Sequence, residues 1–89
     1  MKALVDISLY PLNSDYEKIV LIFLKKLKST DLEFKVNNMS TQITGDLSKT
    51  MSIIGPILES IWKQFGQASL VIKAIQFPEA PYLESDEKV

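Results

Sequence analysis

The order in which two hydrophobic periodicities alternate along this chain constrains its fold more than any other feature. Ala3, Val5, Ile7 and Leu9 alternate with Leu4, Asp6, Ser8 and Tyr10, the period of two that marks a half-buried strand. Pro11 cannot donate to a ladder and closes that run. Tyr16, Ile19, Val20, Phe23, Leu24 and Leu27 then recur at helical spacing, and Leu21 and Ile22 widen the apolar face. Ser14 and Glu17 have the S-x-x-E form of a capping box, and Lys25, Lys26 and Lys28 suit a helix C-terminus, so a helix is predicted over Ser14 to Ser29.

Period two returns from Leu32 to Val36, with Phe34 and Val36 on one face. Asn37-Asn38 supplies a tight reversal, since Asn tolerates positive φ. A third strand follows, with Met39, Thr41 and Ile43 on the core side and Ser40, Gln42 and Thr44 opposite, until Gly45 breaks it. Asp46 is a natural N-cap. Met51, Ile54, Leu58, Ile61, Trp62 and Phe65 form a second helical stripe closed by Gly66. Pro56 falls inside that stripe, but the stripe resumes in phase, which predicts one kinked helix. Ser69 to Phe77 alternates once more and gives the last strand.

Strand, helix, strand, strand, helix, strand in this order is the α+β ferredoxin-like βαββαβ sandwich: a four-stranded antiparallel sheet with both helices on one face. The domain is expected over residues 1–77. Residues 78–89 carry two prolines, Glu79, Glu84, Asp86 and Glu87, and read as an acidic, extended or flexible tail. The bare sheet face, with Leu4, Tyr10, Val71, Ile75 and Phe77, is too apolar to stay wet, so a second copy is expected to cover it. The first and last strands are expected to lie apart, which assigns any pairing of Asp6 with Lys73 to an interface between copies.

Composition narrows the chemistry. In 89 residues there is no Cys, no His and no Arg, and the formal net charge is −1. The commonest general base, zinc ligand, thiol nucleophile and phosphate fork are all missing. Catalysis, a resident cofactor, a metal site and a nucleic-acid partner are therefore not expected. No run reaches the ~20 apolar residues that span a bilayer, and Asp6 interrupts what would be a signal segment, so a cytoplasmic protein with no membrane partner is expected. Asp6 and Asp46 read as an interface or solvent-facing charge and as a helix cap. Ser8, Tyr10, Ser40, Thr41, Gln42 and Thr44 are a dense set of neutral polar groups on the first and third strands. They form either a mutual hydrogen-bond network or a pocket for a small neutral or cationic heterocycle, on which Tyr10 or Trp62 would stack.

The segments Ile7-Ser8-Leu9-Tyr10-Pro11-Leu12 with Asp15-Tyr16, and Met39-Ser40-Thr41-Gln42-Ile43-Thr44-Gly45-Asp46, resemble the thiamine-binding protein family over residues 3–77. The resemblance implies the same fold, dimers or tetramers assembled through sheet faces or edges, no catalytic activity, and thiamine or its hydroxymethylpyrimidine moiety as ligand. It implies Thr41 first, then Ser8, Leu9 and Tyr10, with Ser40 in the same motif, as ligand-binding residues. Thr41 and Leu9 fall on the helix side of the sheet by alternation, Ser8 and Tyr10 on the open side. A regulatory domain that binds another small metabolite at a subunit interface is the alternative.

Overall fold

The first strand, β1 (Lys2–Pro11), takes the central position because its inward row of Ala3, Val5 and Ile7 is at most 3% exposed. After it come α1 (Tyr16–Lys28), β2 (Glu33–Val36), β3 (Thr41–Asp46), α2 (Leu47–Phe65) and β4 (Ala68–Gln76). The computed structural model describes residues 1–77, so the expected tail lies outside the described residues. The sheet runs in the order β2-β3-β1-β4 with every neighbouring pair antiparallel, the ferredoxin-like topology the sequence predicts. Ile19, Phe23 and Leu27 of α1 and Ile54 and Ile61 of α2 close over the inward rows of β1 and β3 to make one core. Burying each such side chain contributes roughly 1.5–3 kcal/mol.

Asp46 caps α2 as expected. Its Oδ2 accepts from the Lys49 backbone N–H at 3.0 Å, and its Oδ1 from the Met1 ammonium at 2.6 Å. Those two donors, the ammonium first, hold its carboxyl below the usual range. At the same end, Lys49 Nζ donates to Asp31 at 2.6 Å and lowers that carboxyl too. One helix of 19 residues passes through Pro56. Pro56 and Ser52 both lie on the exposed side, so the Ser52 carbonyl that loses its helical donor faces water. Gly66, at φ +89°, ends the helix where a side chain would be strained.

Several local expectations are corrected. The capping box does not form. Helix α1 begins at Tyr16 after Asp15, which makes no side-chain cap, while Asn13 Oδ1 accepts the Asp15 N–H at 2.9 Å. An Asx turn at Asn13 sets the entry to the helix in its place. The hairpin is longer than a two-residue reversal: Asn37–Ser40 is a loop, Met39 is 84% exposed instead of buried, and no non-glycine residue described has positive φ. Strand β3 continues through Gly45, which pairs with Ala3. Leu21 is exposed, and the buried line of α2 runs through Thr50, Ile54 and Ile61, leaving Met51 and Trp62 partly in water. A helix with apolar residues on most of its circumference does not reveal by periodicity which line faces the core.

The largest correction concerns strand adjacency. β1 and β4 are neighbours, paired over nine positions from Ala3–Gln76 to Pro11–Ala68. Asp6 and Lys73 therefore stand directly opposite each other within one subunit. The outer face carries Leu4, Asp6, Ser8 and Tyr10 beside Ile75, Lys73, Val71 and Ser69, and Tyr10, Val71 and Ile75 are each about half exposed.

Candidate functional site

Four segments meet at the end of the sheet where β1 finishes. They are Ile7 to Tyr10 of β1, the first half of α1, Val36 of β2, and the Asn37–Ser40 loop leading into Thr41 of β3. Between them lies a pocket of about 290 Å3, and all five residues singled out from the sequence, Ser8, Leu9, Tyr10, Ser40 and Thr41, line it. At this end of the sheet the lining includes residues of both faces, Ile7, Leu9 and Thr41 from the helix side and Ser8 and Tyr10 from the open side.

The loop that forms one wall is held from within and from below. Asn37 Oδ1 accepts the backbone N–H groups of Met39 and Ser40 at 2.8 and 2.9 Å, and the Asn37 N–H donates to the Ser40 carbonyl at 3.0 Å. The Ser8 hydroxyl donates to the Met39 carbonyl at 3.3 Å, and the Ser40 hydroxyl to Asp6 Oδ1 at 2.5 Å. Ser8 and Ser40 thus tie the loop to β1, and their hydroxyl donors are committed to that task. Thr41 differs. It is 6% exposed and lines the pocket, and among the described residues its hydroxyl meets no side-chain or backbone partner.

Ile7 and Phe23, at 1% and 2% exposure, form the apolar floor. Tyr16 and Val20 of α1 and the amides of Asn37 and Asn38 complete the lining. Sequence reasoning missed Tyr16, Val20 and Phe23 as site residues, since a helical stripe reads first as core. Trp62, considered as a stacking platform, is not at this pocket: its indole N–H donates to the Ala68 carbonyl at 2.8 Å beside another hollow of about 500 Å3. Gln42 and Thr44 lie along β3, away from the lining.

A more spacious depression, about 920 Å3, runs along the outer flank of α1 and β2, past Lys18, Leu21, Lys25 and Phe34. It holds none of the five residues. Its size comes from a shallow groove beside aliphatic lysine stems, whereas the smaller pocket joins an apolar floor to convergent neutral polar groups, the arrangement that small-molecule sites share.

With this geometry in place, comparison with known proteins decides the family. The sequence pattern of the thiamine-binding protein family matches residues 5–89. The chain belongs to that family. No curated protein matches it significantly in sequence. Among solved structures, a Streptococcus pneumoniae protein superposes with a TM-score of 0.82 at 19% identity, covering 98% of this chain and 99% of its own. A Thermotoga maritima protein, provisionally assigned to thiamine biosynthesis or salvage, gives a TM-score of 0.80 at 13% identity with both chains fully covered. A hypothetical protein of Methanocaldococcus jannascii gives 0.78 at 18% identity, covering 99% of this chain and 98% of its own. At these identities the likeness to solved members of the fold establishes the ferredoxin-like architecture of this thiamine-binding family chain. Among the described residues no helix is long and apolar enough to cross a membrane.

Proposed function

We propose that the chain binds thiamine or its hydroxymethylpyrimidine moiety in the pocket between β1, α1 and the β2–β3 loop, without transforming it. The observation that carries this reading is that Thr41, 6% exposed and outside the hydrogen bonds that hold the loop, lines one pocket together with Ser8, Leu9, Tyr10 and Ser40, within the span that matches the family. The lining supplies neutral hydrogen-bonding groups and aromatic rings, which suit holding a heterocycle. It supplies no side chain that ordinarily moves a proton near neutral pH.

On this reading the protein is a cytoplasmic homo-oligomer with a small-molecule ligand and no resident cofactor. The half-exposed Tyr10, Val71 and Ile75 on the outer sheet face support assembly, because a second copy would remove them from water. Tyr10 belongs to both that face and the pocket, which favours one further reading: a regulatory assembly domain that takes another small metabolite at the junction between copies. Calorimetric titration of the purified chain with thiamine and with hydroxymethylpyrimidine tests the first reading, and sedimentation measures the assembly. Folded protein that gives no heat with either compound at high micromolar concentration sinks it.

A further inference from the structure

The sheet ends in two unlike edge strands. Strand β2 is four residues long and half of it is charged, Glu33 and Lys35, which is how natural sheets guard an edge against pairing. Strand β4 is nine residues long, carries one charge, Lys73, and has no proline or glycine. Its inner side pairs with β1 along its whole length, and among the described residues its outer side pairs with no strand. The Gln67 carbonyl accepts from the Leu12 N–H and the Phe77 N–H donates to the Lys2 carbonyl, both at 2.9 Å. Odd-numbered residues of β4 therefore turn their backbone groups to β1, and Ala68, Leu70, Ile72, Ala74 and Gln76 turn theirs outward.

The helix layer also stops short of this strand. Ile7 and Ile72 are direct partners on the helix side of the sheet, yet Ile7 is 1% exposed and Ile72 37%. Ala74, the next residue of β4 on that side, is exposed as well. A long apolar strand left open at its edge and on its helix side is a template for another strand.

The sequence of β4 suits its own copy. Antiparallel pairing about a two-fold axis normal to the sheet at Ile72 engages all nine residues. The outward-turned residues then meet one another. Ile72 meets Ile72 of the second copy, Leu70 meets Ala74 and Ala68 meets Gln76, each pair exchanging backbone N–H and carbonyl groups. On the outer face Lys73 comes opposite Val71 of the second copy and keeps Asp6 of its own β1 on the other side. Moving the axis to Lys73 would set two ammonium groups directly opposite each other. Moving it to Val71 would leave Ile75 and Gln76 with no strand residue opposite.

We propose that β4 pairs with β4 of a second copy of this chain, joining two four-stranded sheets into one of eight strands. The inference rests on the homo-oligomer reading above and names its contact, and it is independent of the ligand.

The chain has no cysteine, so single cysteines report the register without interference. Only a residue on the axis meets itself. The two Ile72 Cα atoms would stand about 5.5 Å apart, within disulfide reach, and the two Ala74 Cα atoms roughly 14 Å apart. Under mild oxidation Ile72→Cys should run chiefly as a covalent dimer on a non-reducing gel, and Ala74→Cys as a monomer. Ala74→Pro removes an outward N–H and leaves the β1 ladder intact, so its circular dichroism should match the parent's. In sedimentation equilibrium its dimer should dissociate at least about tenfold more readily, because the axis makes one substitution remove two hydrogen bonds. A parent that assembles while Ile72→Cys fails to cross-link, or cross-links no better than Ala74→Cys, overturns the edge contact and leaves the assembly reading standing. So does a folded Ala74→Pro protein that assembles as tightly as the parent. A parent that stays monomeric at high micromolar concentration overturns both.

Discussion

The Ser40 hydroxyl donates to Asp6 Oδ1 at 2.5 Å, and this bond joins the loop that walls the pocket to the middle of β1. Lys73 stands opposite the same aspartate on β4, yet among the described residues the carboxylate takes the hydroxyl instead of the ammonium. The pocket wall and the outer sheet face are thus coupled through one partly buried side chain.

Ser40→Ala should lower stability by about 1 kcal/mol, the usual net worth of such a bond when part of it is regained from water. Urea unfolding measures the loss. A change below about 0.3 kcal/mol would mean that water replaces Ser40 at Asp6 at no cost.

Thr41→Val keeps the shape of the buried side chain and removes the hydroxyl from the pocket. The melting temperature should hold, and thiamine affinity should fall about tenfold, the equivalent of one lost hydrogen bond. Undiminished affinity in a folded Thr41→Val protein would remove Thr41 from the site.

Thr50 offers the opposite case. Its side-chain oxygen is fully buried and, among the described residues, without a hydrogen-bond partner. Thr50→Val deletes that unsatisfied group at constant volume, so stability should rise by about 1 kcal/mol. A destabilised Thr50→Val protein would reveal a partner for the hydroxyl in solution.

Ile61 is fully buried beneath α2 and belongs to the main core. Ile61→Ala should cost about 2–5 kcal/mol through lost transfer energy and a cavity. For a domain of this size, whose whole stability is on the order of 5–10 kcal/mol, that is a large share. Denaturant unfolding at two wavelengths would test it, and a loss under about 1 kcal/mol would contradict the packing described.

Acid should weaken the end of the sheet opposite the pocket. Asp46 and Asp31 both have carboxyls held below the ordinary range, by the Met1 ammonium and by Lys49 respectively. A depressed folded value means the unfolded chain binds protons first, so their contribution is complete above about pH 4 and is lost as pH falls further. Both side chains are solvent-exposed, which keeps the effect small. The double variant Asp31→Asn, Asp46→Asn should show a flatter fall of melting temperature below pH 4 than the parent. An identical acid limb would mean that these pairs do not persist in solution.

Much of the site was legible because strand alternation and motif spacing are local. Ser8, Leu9 and Tyr10 were fixed to the end of one strand and Ser40 and Thr41 to the start of another, and pairing of β1 with β3 brings the two runs together. The contribution of α1 was not legible. Phe23 facing a pocket and Phe23 facing only core give the same helical period, and its position over the strand end depends on how α1 packs.

By itself the sequence determined the element order, the inward rows of β1 and β3 and the cap at Asp46, because periodicity, proline and capping chemistry act within a few residues. Tertiary structure decided which strands are neighbours, and so set Asp6 against Lys73 in one subunit. It also decided that Asn13 and not Ser14 governs the entry to α1, and that Ser8 and Ser40 hold a loop while Thr41 lines the pocket beside it. Those outcomes turn on competition among partners brought together from distant parts of the chain. Spacing along the sequence does not encode which partner a hydroxyl finally takes.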